Sequence, residues 1–416
     1  MFAKWLFIVA CTFLLATLGF AQDEVIKIYT SWPLTGGTQA VGEDMLASAE
    51  LALAHYLEDH NGEGPAGFTI ELVPLDDASP TTGAWDGTIE AENAQRCVND
   101  PQCMVYFGTY NSGAAKVSMP ITNEAGMAQI SPANSYPGLT RACPTCEEGE
   151  PDIYRPTGEV NYFRTNGTDD VQGPAAASWA YCLGFENVYI LDDTQVYGAG
   201  IADEFENHAN EIGLNIAGRS SVESTDIDFR ALLTDVRASG ADAVFGGFVL
   251  DSGGPQVIQQ MDALGLFDEG IKFIGPDGLT SPSLFDQVGD ANLDGNVFLT
   301  FPGPLPSAIE SEMGQRYYND FVERYGHEPD PYGVYAYQSM QVILDSIERA
   351  GEADRGAILE AMRNTTDFEG MLGTFSFDEN GDSTLAGFYG YTIEGGDFAD
   401  SVLISPDMHE TCEVAS

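Results

Sequence analysis

One feature constrains this chain more than any other: short apolar runs alternate with stretches of helical spacing over most of its length. Val25-Ile26-Lys27-Ile28-Tyr29 reads as a strand, and a Gly-rich turn over 34–42 follows it. Residues 45–57 then carry apolar side chains at helical intervals (Leu46, Ala49, Leu53, Tyr56, Leu57). Residues 68–75 give the next strand, 84–98 the next helix, and Met104-Val105-Tyr106-Phe107 a third strand closed by Gly108. A helix over about 113–124 leads to Met127-Ala128-Gln129-Ile130. Strands separated by helices of this length pair in parallel, which predicts βαβ units with helices on both faces of a sheet. A segment rich in Pro, Gly and Glu, 143–161, breaks the rhythm as a loop insertion. Beyond it, strands fall at 188–191, 214–216, 243–248 and 271–274, with helices near 170–183, 199–212, 229–238 and 255–264 and a long one over 334–350. The expected class is α/β, in two doubly wound parallel-sheet halves, and 416 residues suffice for both.

The N-terminus bears on the compartment. Lys4 is the only charge before Asp23, residues 5–20 are almost wholly apolar, and Gly19-Phe20-Ala21 supplies the small residues of a cleavage site before Gln22. This predicts a secretory signal peptide over 1–21 and an exported, soluble mature chain. An uncleaved anchor is the rival, since the run is near the lower length limit for a spanning helix. Ile8-Val9-Ala10-Cys11 also resembles a lipoprotein box, but its apolar lead is short. No later stretch is apolar enough to span a bilayer.

Charge removes whole classes of partner. Asp and Glu number 65 against 16 Lys and Arg, a formal net charge of -49. Nucleic acids and anionic membranes are bound through basic faces, so neither is expected as a partner. Hydrophobic residues at 44% supply a core, so the chain is a folded acidic protein and not a disordered one. Its lysines are Lys4, Lys27, Lys116 and Lys272. A surface so acidic and so poor in Lys suggests a saline habitat, where counter-ions screen self-repulsion. Removing Cys11 with the signal leaves Cys97, Cys103, Cys143, Cys146, Cys182 and Cys412, an even set in an oxidising compartment. Cys97 and Cys103 flank a Val-Asn-Asp-Pro-Gln turn, which favours a local bridge. Cys143-Pro-Thr-Cys146 suits a second, leaving Cys182 with Cys412, although spacing alone leaves other pairings open. A zinc site from the two close pairs is the metal alternative, but no His lies near either pair.

Catalytic motifs are missing. Gly-x-Ser-x-Gly, His-Glu-x-x-His and Gly-x-x-x-x-Gly-Lys do not occur. His55, His60, His208, His327 and His409 are scattered through charged stretches and read mostly as solvated surface residues. Asp378-Glu379-Asn380-Gly381-Asp382 lacks the closing Glu of a calcium loop and reads as an acidic hairpin turn. No enzymatic activity, metal or cofactor is expected. The informative loops follow the strands, because open α/β sheets bind ligands at the strands' carboxyl ends. Gly108-Thr109-Tyr110-Asn111-Ser112-Gly113-Ala114 runs into a helix whose first N–H groups, with the Ser112 hydroxyl, suit a carboxylate; the plainer reading is an N-cap by Asn111 or Ser112. Ile130-Ser131-Pro132-Ala133-Asn134-Ser135 is a second polar turn. Asp192-Asp193-x-x-x-Tyr197-Gly198, Gly246-Gly247-Phe248 and Ile274-Gly275-Pro276-Asp277-Gly278 complete a cleft between the halves.

These loops carry a resemblance. Pro33-Leu34-Thr35-Gly36, Asp76-Asp77, Gly108 to Ser112, Ile130-Ser131-Pro132-Ala133, Gln195-Val196-Tyr197-Gly198, Phe273 to Gly278 and Pro331-Tyr332 occur in an order and spacing that resemble the periplasmic branched-chain amino-acid-binding proteins. Those proteins are the solute receptors of ATP-driven importers, and the likeness runs from about Val25 to Gly396, outside the insertion. It implies two α/β lobes joined by three crossover strands: 25–163 plus about 301–371, and about 164–300 plus 372–416. It also implies a monomer that closes around a small amino acid, branched-chain or otherwise neutral and aliphatic, and delivers it to a membrane ABC permease. Carried over, Ser112 and the backbone at Ser135 hold an α-carboxylate; the Ala133 carbonyl, the Ser135 hydroxyl and Asp277 receive an α-ammonium. Asn134 lies in the same turn, and Tyr197 and Phe248 face the ligand from the second lobe. The sequence departs from the family pattern at Asp277, where Glu is frequent; at Val41, where an aromatic is; and at Phe248, which lacks a phenol. The alternative function is a sensor for an amide or small carboxylate that reports to a membrane signalling partner.

Overall fold

A computed structural model describes residues 24–223, 226–385 and 387–412. The signal-peptide expectation for 1–21, and Cys11 with it, lies outside the described residues.

The first sheet is built from β1 (Val25–Trp32), β2 (Thr69–Asp76), β3 (Cys103–Gly108), β4 (Ala128–Ser131) and β5 (Tyr162–Arg164). Its order is β2-β1-β3-β4-β5, parallel throughout. The connecting helices are α1 (Gln39–Asp59), α2 (Gly87–Asn99) and α3 (Ser112–Glu124). The central strand β3 is buried at every position, which is why it reads as an unbroken apolar run. The second half continues α4 (Asp169–Cys182), β6 (Asn187–Asp192), α5 (Val196–Ile212), β7 (Asn215–Ser221), α6 (Arg230–Ser239), β8 (Ala243–Gly247), α7 (Gly254–Ala263), β9 (Lys272–Gly275), α8 (Ser283–Val288) and β10 (Val297–Phe301). After β10 the chain forms α9 (Glu312–Tyr325), α10 (Pro331–Ala350) and α11 (Arg355–Arg363). Then come a small ladder of β11 (Phe368–Gly370) and β12 (Gly373–Phe375), and a hairpin of β13 (Phe388–Glu394) and β14 (Asp397–Ile404). The second sheet has the order β14-β13-β10-β9-β8-β6-β7, parallel from β7 to β10 and antiparallel where β13 pairs with β10 and with β14.

The fold is thus two doubly wound lobes, and the chain passes between them three times. It leaves the first sheet after β5, returns after β10, and leaves again before β13. On that return α10 lies along α1 and α11 packs on β3 and β4. Helix α10 starts earlier than its apolar spacing predicts. The Asp330 side chain accepts from the Tyr332 N–H, and Pro331 fills the first position, where no N–H is needed. The last passage is fastened by Asp382, whose carboxylate takes Arg164 Nε at 2.6 Å, Arg141, and the Thr140 hydroxyl at 3.0 Å. Burial opposes ionisation there, but the two guanidinium groups outweigh it and hold Asp382 below the usual carboxylate range. The acidic run at 378–382 is therefore a turn, closed by the Asp378 N–H on the Asp382 carbonyl.

Among the described residues three disulfides are present: Cys97–Cys103, Cys143–Cys146 and Cys182–Cys412. The insertion at 143–161 holds a single helical turn, Asp152–Tyr154, yet it is firmly seated. Glu150, buried within it, accepts from the phenols of Tyr136 and Tyr154 and pairs with Lys116 at 2.7 Å. One expectation is corrected: His55 is not a surface histidine. It is buried between α1 and α10, with Nδ1 2.9 Å from the Tyr337 hydroxyl.

Candidate functional site

The loops at the carboxyl ends of the parallel strands converge where the lobes meet. They are held together across the gap by direct bonds. The Thr38 hydroxyl donates to Asp251 at 3.1 Å, Gln287 to the Gly37 carbonyl at 2.8 Å, and Ser281 to Asp330 at 2.6 Å.

The first-lobe wall is organised by Ser131, at the end of β4. Its hydroxyl donates to the Thr109 carbonyl at 2.8 Å and accepts from the Ala133 and Asn134 N–H groups at 3.1 and 2.9 Å. Asn134 is a brace within this wall, bonded to the Tyr110 carbonyl and the Tyr162 phenol. The same wall carries the N-terminus of α3. Asn111 occupies the cap position but makes no side-chain cap bond, and the first N–H to enter the helical pattern is that of Ala114. The N–H groups of Ser112 and Gly113, at the positive end of the helix dipole, are therefore open to a ligand.

Beside this terminus lies a cavity of about 550 Å³ between the lobes. Trp85, Asn111, Ser112 and Gly113 face it from the first lobe; Asp193, Tyr197, Asp251 and Ser252 face it from the second. A small void of about 10 Å³ continues it inward, enclosed by Tyr110, Ser112, Ala133, Tyr197, Gly278 and Tyr332 among others. Of the residues expected from sequence, Ser112 and Tyr197 border both spaces and Ala133 the inner one. Asn134, Ser135, Phe248 and Asp277 are buried and border neither. Ser135 stands just behind, its hydroxyl without a partner and its carbonyl accepting from the Asp169 N–H. Phe248 turns into the second-lobe core, its ring against Gly246, and Val41 belongs to the core as well.

Asp277 is already engaged. The Tyr197 phenol donates to Oδ1 at 2.6 Å, and the Tyr332 phenol donates to Oδ2. Burial pushes its pKa up, while the two phenols work in the opposite direction. The Ala133 carbonyl likewise accepts from the Asn166 amide at 2.9 Å.

Sequence reasoning placed the Asp192-Asp193 loop at the cleft without giving either acid a role, and passed over Asp251. Asp193 is fully buried; Oδ1 accepts from the Gln195 N–H at 2.9 Å and Oδ2 has no partner. Burial pushes its pKa up to about 7, and that of Asp251 up to about 6. Asp192 and Asp193 are adjacent, and Arg219, on β7, decides between them: its guanidinium binds Asp192 at 3.0 Å, leaving Asp193 to the cavity. The adjacent acids directly after a strand were the available signal.

Several known proteins are similar to this chain. A Leu/Ile/Val-binding protein homolog 2 of Brucella abortus (strain 2308) is 30% identical over 389 residues, covering 92% of this chain and 94% of the relative. A leucine-, isoleucine-, valine-, threonine-, and alanine-binding protein of Pseudomonas aeruginosa is 29% identical over 377 residues, covering 88% and 91%. The crystal structure of a leucine-binding protein from Thermotoga maritima superposes with a TM-score of 0.77 at 26% identity, covering 92% of this chain and 99% of that one. A profile of the periplasmic binding protein family matches residues 25–397. With two lobes around a cavity and that match over most of its length, the chain belongs to the periplasmic binding protein family, solute receptors and not enzymes.

Proposed function

We propose that this protein is an extracytoplasmic receptor that is exported by its signal peptide, captures a small amino acid between its lobes, and delivers it to an ABC permease. The observation that carries this reading is the open N-terminus of α3, with Ser112, on the wall of a cavity of about 550 Å³, a size ordinary for small-molecule sites. An α-carboxylate fits that terminus, accepting from the Ser112 and Gly113 N–H groups and the Ser112 hydroxyl. The α-ammonium is assigned to Asp277, where it takes the place of the Tyr332 phenol on Oδ2. The side chain then extends outward into the larger cavity. Because contacts come from both lobes, ligand favours the closed arrangement by its differential affinity for it.

Titration calorimetry of the mature protein against amino acids tests this. A saturable one-site isotherm is expected, and Ser112→Ala should weaken it by about ten- to a hundredfold, the range of a lost charged hydrogen bond. Binding of amides or small carboxylates with no response to any amino acid would overturn the reading.

A further inference from the structure

Acids crowd the wall of the larger cavity, beside the apolar Ala84, Trp85, Ile227 and Val249. Asp86, Asp193, Asp226 and Asp251 all border it, and no Lys or Arg is among the described residues that do. Acidic composition accounts for the two at the rim: Asp226 is exposed, and Asp86 caps α2 through the Thr88 and Ile89 N–H groups. It does not account for Asp193, which is fully buried, faces the cavity, and leaves Oδ2 with no donor. Nor does Asp193 have a cation nearby to balance it, since Arg219 is occupied by Asp192, Asp203 and Glu206. A buried carboxylate without a partner is strongly unfavourable unless something supplies charge and hydrogen bonds.

Its neighbours ask for the same thing. Among the side-chain atoms of the cavity wall that are fully buried, those without partners are Asn111 Oδ1, Asp193 Oδ2 and Gln256 Oε1, every one an acceptor. Asp251 has a single side-chain donor, the Thr38 hydroxyl from the other lobe. Trp85 adds an aromatic surface to the wall, which attracts cations through its ring quadrupole. An aliphatic side chain satisfies none of these atoms. An ammonium or guanidinium group, rich in donors and positive, satisfies all of them.

We infer that the solute's outer end is cationic, so that the captured molecule is an amino acid with an ammonium or guanidinium side chain, held by Asp193 and Asp251. This rests on the reading of the site as an amino-acid receptor, with the main-chain end at α3. It assigns the large cavity to the side chain.

The test is calorimetry on the mature protein, in saline buffer, with lysine, arginine, norleucine, leucine and cadaverine. Norleucine matches lysine in length but lacks the charge, and cadaverine lacks the carboxylate. Lysine or arginine should bind at least tenfold more tightly than norleucine and leucine. Asp193→Asn should erase that preference while keeping the shape of the side chain; Asp251→Asn serves if the first variant does not fold. Norleucine or leucine binding as tightly as lysine would overturn the inference and leave the amino-acid reading standing. An undiminished preference in a folded variant would also overturn the inference. Cadaverine binding without lysine or arginine would overturn the carboxylate at α3 but support the cationic cavity.

Discussion

Asp193, Asp251 and Asp330 share an unusual condition at the scale of single residues: each carboxylate sits in a poorly solvated place with few hydrogen-bond donors and no cation against it. Asp193 is faced by Ser252, the Gln195 N–H, Asp192 and Asp251, and Asp330 by Ser281, the Tyr332 N–H and Asp44, itself bonded to His327. Burial pushes Asp193 and Asp330 up to about 7 and Asp251 up to about 6. Between pH ~4 and ~7 the folded protein therefore holds protons that the unfolded chain releases, so stability falls as pH rises through that window. The carboxylates held low by partners, such as Asp382 and Glu150, lose their contribution only below it. The ligand-free protein should show a higher thermal midpoint at pH 5 than at pH 8, by several degrees at constant ionic strength, in differential scanning fluorimetry. A midpoint rising from pH 5 to pH 8 would contradict the burial of these acids.

The element that matters most for capture is the start of α3, and its neighbour explains one glycine. A Cβ at Gly113 would lie 2.5 Å from Trp85 Cζ2, so only glycine lets the indole rest against the helix terminus. Gly113→Ala should leave the fold intact, displace the indole, and weaken ligand binding severalfold, read by calorimetry alongside tryptophan fluorescence. Elements also show how far the sequence could be read. Strands β3 and β8 are buried at every position, so they stand out as apolar runs. The reading stopped β7 at 216, whereas it continues to Ser221. Its second half is polar and is held by contacts distant in sequence, the Tyr189 phenol on Ser220 and Asp192 on Arg219. The β13–β14 hairpin escaped although β13 is aromatic and largely buried and Gly395-Gly396, both with positive φ, marked its turn; β14 is mostly exposed and weakly apolar. The loops that border the cavity were legible because parallel sheets present them at one edge. Which side chain of each loop meets the cavity was not, since adjacent residues such as Asp192 and Asp193 are sorted by partners on another strand.

At the scale of the whole molecule, the Cys182–Cys412 bridge joins the end of α4 to the chain's last described residue, across 230 positions. A bridge closing so long a loop restricts the unfolded chain strongly. Replacing both cysteines with serine should lower unfolding stability by about 2–4 kcal/mol, measured by chemical denaturation, with ligand affinity unchanged because neither cysteine borders the cavity. The three passages between lobes have a consequence for how the molecule comes into being. Helix α10, which covers the face of α1, is made from residues 331–350, after β10 of the other lobe has been completed. A chain emerging from a membrane amino end first therefore begins its first lobe before anything else and cannot finish it until most of the second has arrived. Through that interval the apolar side of α1 is bare, and a nascent or truncated chain ending near β10 carries the same uncovered surface.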